Sequence, residues 1–177
     1  MSNPSIHELS EILKDQLYIS SHKTSLNADL LQSKGITHIL SILPQATEAY
    51  PEKFTYKLIK HIEDEKDDKN AILLSDVFTE SSRFIHECLI SDGKVLVHCK
   101  AGKSRSVSLV VAYLMVTTNY GCQQLIGKVK SRRWCAQPNF KFVGVLREYF
   151  GRVEREAEVI GMTEEHRYVV RCDVDGL

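Results

Sequence analysis

The sequence lacks an excess of either charge and has no long apolar run. Its 23 lysine and arginine residues balance 23 aspartate and glutamate residues, whereas domains that bind nucleic acid usually carry a basic excess. The longest apolar run, residues 109–116, is far shorter than the roughly 20 residues that span a bilayer. Residues 1–4 form no secretory apolar core, and Ser2 stands where myristoylation requires glycine. We expect a soluble protein of the cytoplasm, with the nucleus also open, that neither binds nucleic acid nor inserts into a membrane.

The cysteines are not arranged for disulfides or for a metal. Their number is odd, and no Cys-x-x-Cys pair occurs. Histidine and carboxylate residues also lack the spacing of zinc ligands. We therefore expect reduced thiols and neither a metal ion nor a cofactor. The five positions are Cys88, Cys99, Cys122, Cys135 and Cys172.

Strand and helix patterns alternate along the chain, and 177 residues suffice for one domain with a sizeable core. This order predicts an α/β three-layer sandwich, with a central, mostly parallel sheet of about five strands flanked by helices. Strands are predicted at residues 17–19, 36–43, 54–62 and 95–97, and helices at 25–35, 72–90, 107–115, 122–133 and from 138 onward.

We divide the chain into an N-terminal segment (1–14), a main domain (15–150) and a C-terminal extension of unknown role (151–177). Two interpretations of the extension stay open. It extends the last helix and ends in an edge strand at residues 168–170, where Tyr-Val-Val favours a strand, or it is partly disordered.

The chain is organised around residues 95–107, where a short apolar strand leads into a cysteine, a loop of small and basic residues, and an apolar helix. The unpaired N–H groups and the positive dipole end of a helix N-terminus favour an anion. This loop is therefore a candidate anion site, lying between the strand and the helix.

Basic residues surround the cysteine of this loop. Lys100, Lys103 and Arg105 place three positive charges within six residues of Cys99, which favours a nucleophilic thiolate at neutral pH. Gly102 lets the backbone approach an anion closely. The planar fork of Arg105 matches two phosphoryl oxygens. A phosphate ester is the substrate that suits this set of residues best.

Hydrolysis of a phosphate ester through a cysteine has two leaving groups, first the ester oxygen and then the sulfur, and each must be stabilised as it leaves. The segment 63–68, which contains five acidic residues in six positions, supplies a general acid for the leaving oxygen. The hydroxyl of Ser106 is placed to stabilise the thiolate when sulfur leaves in a second step. The alternative interpretation of the acidic segment is a solvated loop.

Residues 98–106, His-Cys-Lys-Ala-Gly-Lys-Ser-Arg-Ser, match the His-Cys-x-x-Gly-x-x-Arg-Ser/Thr signature of the cysteine-dependent phosphatases. The chain resembles the dual-specificity protein phosphatases, in a compact and atypical form, over most of residues 15–150. The resemblance extends to the segments 17–19, 35–40, 84–88 and 138–140.

This resemblance implies a role for each matching residue. Cys99 would be the nucleophile, Arg105 would bind phosphate, Ser106 would assist hydrolysis, and Asp64, which follows a strand, would be the general acid. The spacing to the next helix also fits Asp68, so Asp67 and Asp68 remain alternatives. The implied phosphate-binding residues are Lys100, Ala101, Gly102, Lys103, Ser104 and Arg105, with His98 and Asn139 in support.

The same residues are compatible with other functions. Lys100 and Lys103 resemble the loops of phosphoinositide and phosphatidylglycerophosphate phosphatases, so a phospholipid phosphatase is one alternative. A non-catalytic module that binds phosphoproteins is another, although the presence of both Cys99 and Arg105 argues against it. A nucleotide-binding P-loop is excluded because Val97 occupies the position of its first glycine. Phosphotyrosine and phosphoserine or phosphothreonine in proteins are the implied substrates; the oligomeric state is unknown.

Overall fold

Five strands and eight helices form the described part of the chain. The computed structural model describes residues 5, 7–60, 62 and 71–176, without the side chains of residues 71–73. In chain order the elements are β1 (Ser10–Leu13), β2 (Leu17–Ser21), α1 (His22–Ser25), α2 (Ala28–Ser33), β3 (His38–Ile42), β4 (Thr55–Ile59), α3 (Ala71–Ile90), β5 (Val95–Cys99), α4 (Arg105–Thr118), α5 (Cys122–Arg132), α6 (Phe140–Phe150), α7 (Val153–Ile160) and α8 (Glu164–Asp175).

The five strands form one sheet in the order β1-β2-β5-β3-β4. The pairs β2·β5, β5·β3 and β3·β4 are parallel, and only β1 runs antiparallel to its neighbour among the described strands. β5 lies at the centre and is buried along its whole length. The predicted class, a mostly parallel sheet of about five strands flanked by helices, is confirmed.

Side chains of the strands alternate between two apolar layers, as the two-residue repeat of a strand requires. On one face Ile39 and Leu96 pack with Leu31 of α2. On the other face Leu40 and Val97 join the larger cluster, which contains buried side chains from α3 to α8. Helices therefore cover both faces, and the layer order is helix, sheet, helix.

Helix α4 is the centre of the larger layer. Every one of its residues is buried, because α3, α5, α6, α7 and α8 all contact it. A helix buried on all sides is apolar all round, which explains the continuous apolar pattern from residue 107 onward. In the described ranges, no helix combines the length and apolarity that crossing a membrane requires.

The C-terminal residues are helical, so the predicted edge strand at residues 168–170 is wrong. Thr163 caps α8 by accepting a hydrogen bond from the backbone N–H of His166. Val170 and Val174 lie four residues apart, and both are buried. This spacing places them on one face of a helix, and that face packs against the larger cluster. Tertiary packing thus overrides the strand preference of Tyr-Val-Val.

The carboxyl ends of β2, β5 and β3 meet at the same edge of the sheet because these strands are parallel. His22 follows β2, Lys100 follows β5 and Leu43 follows β3. Ligands of open α/β sheets bind at this edge, and it is here that the loop after Cys99 lies.

Candidate active site

Cys99 is the last residue of the central strand, and only 2% of its surface is exposed. Its sulfur accepts a hydrogen bond from the backbone N–H of Gly102, with an N–Sγ distance of 3.2 Å. The Oγ of Ser106, in the first turn of α4, lies 3.3 Å from the same sulfur. Both contacts supply a hydrogen-bond donor to a sulfur anion.

Backbone N–H groups from outside the loop donate hydrogen bonds to the carbonyls at its two ends. The Lys100 carbonyl accepts from the His22 N–H at 3.2 Å, and the Lys103 carbonyl accepts from the Gln137 N–H at 2.8 Å. In a planar trans peptide the N–H points opposite to the carbonyl. The N–H groups that follow these two carbonyls are therefore directed away from His22 and Gln137.

The middle of the loop is held by Arg133. Its Nη2 donates to the Ala101 carbonyl at 3.2 Å, and its Nε donates to the Gly102 carbonyl. The N–H of the first of these peptide units is the one that bonds to Cys99. Arg133 thus holds two consecutive loop carbonyls, and the N–H of the first of these peptide units faces the sulfur, which makes the loop a concave site for an anion.

Gly102 is required by this loop geometry. Its φ angle is +67°, a conformation that costs side-chain-bearing residues energy. A Cβ atom at this position would also collide with the Ser20 carbonyl and with the Arg133 guanidinium. No other residue fits without movement of the loop.

Arg105 begins α4 and is buried. Its Nη1 donates to the Ile62 carbonyl at 3.2 Å. Within the described residues its buried Nε has no hydrogen-bond partner, and a buried unsatisfied guanidinium nitrogen costs free energy. Arg105 also lines the cleft over the loop. A phosphoryl oxygen is an acceptor that fits this donor.

A cleft of about 620 Å³ opens over the loop. Lys100 and Lys103 are exposed on its wall, where they contribute positive charge near the anion site. The remaining described lining comes from the loop itself and from the ends of the neighbouring strands: His22, Leu43, Pro44, Gln45, Cys99, Ala101, Ser104 and Arg105.

His98 lies directly before the nucleophile candidate and is buried. Its ring stacks on the His22 ring, with centroids 5.6 Å apart. Burial, reinforced by the neighbouring His22, lowers the pKa of His98 to about 3. The imidazole is therefore neutral at physiological pH, which is consistent with a supporting role and not with a proton shuttle in that range.

Asn139 and Ser104 join the loop to helix α6. The Asn139 side chain caps α6 by accepting from the Phe142 N–H at 3.0 Å. The Asn139 backbone N–H donates to the Ser104 Oγ at 3.1 Å. These contacts of Asn139 fix the start of α6 against the loop.

The candidate acids Asp64, Asp67 and Asp68 lie outside the described residues. The described residue nearest to them on the N-terminal side is Ile62, whose carbonyl contacts Arg105. Among the described residues, no group of three or more histidine, cysteine, aspartate or glutamate side chains is arranged to hold a metal ion.

Comparisons with known proteins agree with this geometry. A family model described as "Dual specificity phosphatase, catalytic domain" matches residues 17–152. The chain belongs to the dual-specificity phosphatase family. The family model and the relatives given below are named as dual-specificity phosphatases, so the phospholipid and non-catalytic alternatives are not favoured.

Individual relatives show how far the similarity extends. The chain is 44% identical to "Dual specificity protein phosphatase 22-A" of Danio rerio over 135 residues, covering 76% of this chain and 62% of that protein. It is 37% identical to "Dual specificity protein phosphatase 1B" of Arabidopsis thaliana, covering 85% and 86%. The aligned region thus spans less than two thirds of the zebrafish protein. The solved structure of DUSP15 superposes with a TM-score of 0.79 at 27% identity, covering 89% of this chain and 99% of that chain.

Several residues of the site were not anticipated from the sequence. Arg133, at the end of the helix predicted over residues 122–133, is buried against the loop. His22 and Gln45 line the cleft because they follow parallel strands. For His22 and Gln45, the only signal in the sequence was their position after predicted strands, since loops at the carboxyl edge of the sheet form the sites of α/β folds.

Proposed function

We propose that the protein hydrolyses phosphotyrosine and phosphoserine or phosphothreonine in proteins through a cysteinyl-phosphate intermediate. The observation that carries the proposal is the pair of contacts on the Cys99 sulfur, from the Gly102 N–H at 3.2 Å and the Ser106 Oγ at 3.3 Å. These donors stabilise sulfur as an anion both before attack and as a leaving group.

In the first step, the Cys99 thiolate attacks phosphorus while the bond from phosphorus to the ester oxygen breaks. The loop N–H groups and Arg105 bind the phosphoryl oxygens as charge spreads over them. Asp64 donates a proton to the departing oxygen, so that an alcohol or a phenol leaves. General acid catalysis of this kind contributes on the order of a hundredfold or more.

In the second step, water attacks phosphorus and the bond between sulfur and phosphorus breaks. Asp64, now a carboxylate, takes a proton from the water, and inorganic phosphate leaves. The Ser106 hydroxyl stabilises the returning thiolate, in keeping with its 3.3 Å distance from the sulfur. The cycle needs neither a metal ion nor a cofactor.

The nucleophile is tested by Cys99→Ser with an aryl phosphate substrate. We expect vanadate-sensitive turnover in the wild-type protein and none in this variant. Cys172→Ser is the matched control, because Cys172 is an exposed free cysteine, and it should keep wild-type turnover. Retained turnover in Cys99→Ser would reject Cys99 as the nucleophile.

The general acid is tested by Asp64→Ala, Asp67→Ala and Asp68→Ala. Asp64 follows Ile62 by two residues, and the Ile62 carbonyl bonds to Arg105, which favours Asp64 among the three. Asp64→Ala should slow aryl phosphate turnover by roughly tenfold or more. An unchanged rate, together with slow turnover in Asp68→Ala or Asp67→Ala, would reassign the role.

Membership of the family supports phosphoproteins as substrates, and Lys100 and Lys103 on the wall of the cleft favour acidic ones. We place catalysis in residues 15–150, between an N-terminal segment (1–14) and a C-terminal extension of unknown role (151–177). We place the protein in the cytoplasm or nucleus, without nucleic acid as partner. Side-by-side turnover of phosphotyrosine peptides, phosphothreonine peptides and water-soluble phosphoinositides tests specificity. Turnover of the phosphoinositides alone would contradict a protein substrate.

A further inference from the structure

Arg133 is a buried cation that the catalytic scheme does not use. Arg133 is only 1% exposed, and its side chain is the largest fully buried one among the described residues. Burying a guanidinium is costly unless its N–H groups are hydrogen-bonded. A buried arginine of this kind needs a physical reason, and its hydrogen-bond partners supply one.

The partners of Arg133 lie on two separate parts of the chain. Toward the active-site loop, Nη2 and Nε donate to the carbonyls of Ala101 and Gly102. Toward the N-terminal residues, Nη1 donates to the Glu8 carbonyl and the Ser10 Oγ, each at 3.0 Å. One planar guanidinium therefore connects the loop to the beginning of β1.

The contact with Ala101 acts on the same peptide unit that contacts the nucleophile candidate. The carbonyl of the Ala101–Gly102 peptide faces Arg133, and its N–H donates to the Cys99 sulfur. Because the peptide is planar, a fixed carbonyl fixes the direction of the N–H. A cation on the carbonyl oxygen also polarises the peptide and strengthens its N–H as a donor.

The contact of Arg133 with the Gly102 carbonyl orients the next peptide unit of the loop in the same way. The Gly102 carbonyl bonds to the Arg133 Nε, so the N–H of Lys103, in the same peptide unit, points away from Arg133. Rotation of this peptide would turn a carbonyl oxygen toward the anion in place of an N–H. Two consecutive donors of the loop thus depend on one side chain.

We infer that Arg133 is a positioning residue for the phosphatase reaction, which orients and polarises the two loop peptides that follow Ala101 and Gly102 so that their N–H groups stabilise the Cys99 sulfur and the substrate phosphate. The inference rests on the proposed function. Arg133 acts from the carbonyl side of the loop and through its backbone. Its role differs from that of Arg105, which lines the cleft.

Arg133→Met tests this role, because it keeps a long apolar stem and removes every donor. The loop carbonyls lose their partner, so the kcat/KM for an aryl phosphate should fall roughly tenfold to a hundredfold. Inorganic phosphate should also compete more weakly. Arg132→Ala is the matched control, since Arg132 is exposed and adjacent in sequence, and it should keep wild-type values.

The pH dependence of Cys99 alkylation by iodoacetamide separates positioning from a general structural role. With a weaker N–H donor on the sulfur, the pH of half-maximal alkylation should rise in Arg133→Met. Arg133→Lys keeps the charge but lacks the fork that reaches both carbonyls, so its midpoint and its kcat/KM should lie between those of the wild type and Arg133→Met.

Thermal melts establish which variants are folded. A folded Arg133→Met protein with wild-type alkylation midpoint, phosphate competition and kcat/KM would overturn the inference. If Arg133→Met does not fold, the same wild-type values in Arg133→Lys would overturn it. Absence of turnover in the wild-type protein would reject the phosphatase proposal alone, because alkylation and its protection by phosphate still report on the loop.

Discussion

At the scale of single residues, the site is a set of short contacts on one sulfur atom. The sequence predicted Cys99, Arg105 and Ser106 together, because the spacing of a strand, a glycine and a helix start determines which residues face one another. Arg133 could not be predicted in this way. Arg133 lies 31 residues beyond Gly102 in the chain, and its Nε bonds to the Gly102 carbonyl. Only the packing of α5 against the sheet and α4 brings Arg133 next to the loop.

Ser106→Ala should slow the second chemical step more than the first. The hydroxyl lies 3.3 Å from the sulfur, and its loss makes sulfur a poorer leaving group. We expect kcat to fall roughly tenfold or more, and a burst of phenol to appear before the slower steady state. Stopped-flow measurement with an aryl phosphate checks this, and a lower rate with no burst would contradict it.

Gly102→Ala should impair both stability and turnover. The positive φ angle and the collision with Ser20 and Arg133 should cost roughly 1–3 kcal/mol of the free energy of unfolding. Gly144→Ala is the control, since this helical glycine has open space at the Cβ position and alanine favours a helix. Urea unfolding that left Gly102→Ala as stable as the wild type would contradict the loop geometry.

At the scale of elements, the strands and most helices follow from local pattern, and the C-terminal helix does not. Tyr168, Val169 and Val170 have strand preference, yet they belong to α8. What decides their conformation is the apolar surface of α4, which α8 covers. A local window of sequence does not reveal this surface of α4. The choice of helix over strand for residues 168–170 could therefore not be predicted from the local pattern.

The packing of α8 is tested by a pair of neighbouring substitutions. Val170 is 1% exposed, whereas 49% of Val169 is exposed. Val170→Asp buries an unpaired carboxylate and should reduce the free energy of unfolding by about 3 kcal/mol or more. Val169→Asp should change it by less than about 1 kcal/mol. Equal effects in urea unfolding would contradict the packing of this face.

At the scale of the whole molecule, two buried histidines, His86 and His98, and the half-buried His166 connect folding to pH. Burial lowers the pKa of His98 to about 3 and that of His166 to about 4, and it also lowers the pKa of His86. The rings of His86 and His166 are in contact, with a centroid distance of 4.8 Å. The Nε2 of His166 also forms a hydrogen bond with the Tyr113 hydroxyl at 2.8 Å. His98 lies in β5, whereas His86 and His166 meet where α3 and α8 come together, so the effect involves two separate parts of the fold.

Stability should fall as the pH decreases below about 6.5, where an unfolded histidine takes up a proton that the folded one does not. The contribution is fully present above that pH and is lost progressively down to the folded pKa values. For His98 alone the slope is about 1.4 kcal/mol per pH unit. Urea unfolding between pH 5 and pH 7.5 measures it. His166→Gln should reduce the slope, and an unchanged slope would contradict the assignment of His166.

The central claim is that phosphate is transferred to Cys99 before it reaches water. Acid quenching during turnover of an aryl phosphate, followed by peptide mass spectrometry, tests this claim most directly. We predict one phosphoryl group on the peptide that contains Cys99, in greater amount in Ser106→Ala and absent in Cys99→Ser. A phosphoryl group on another residue, with turnover persisting in Cys99→Ser, would contradict the account.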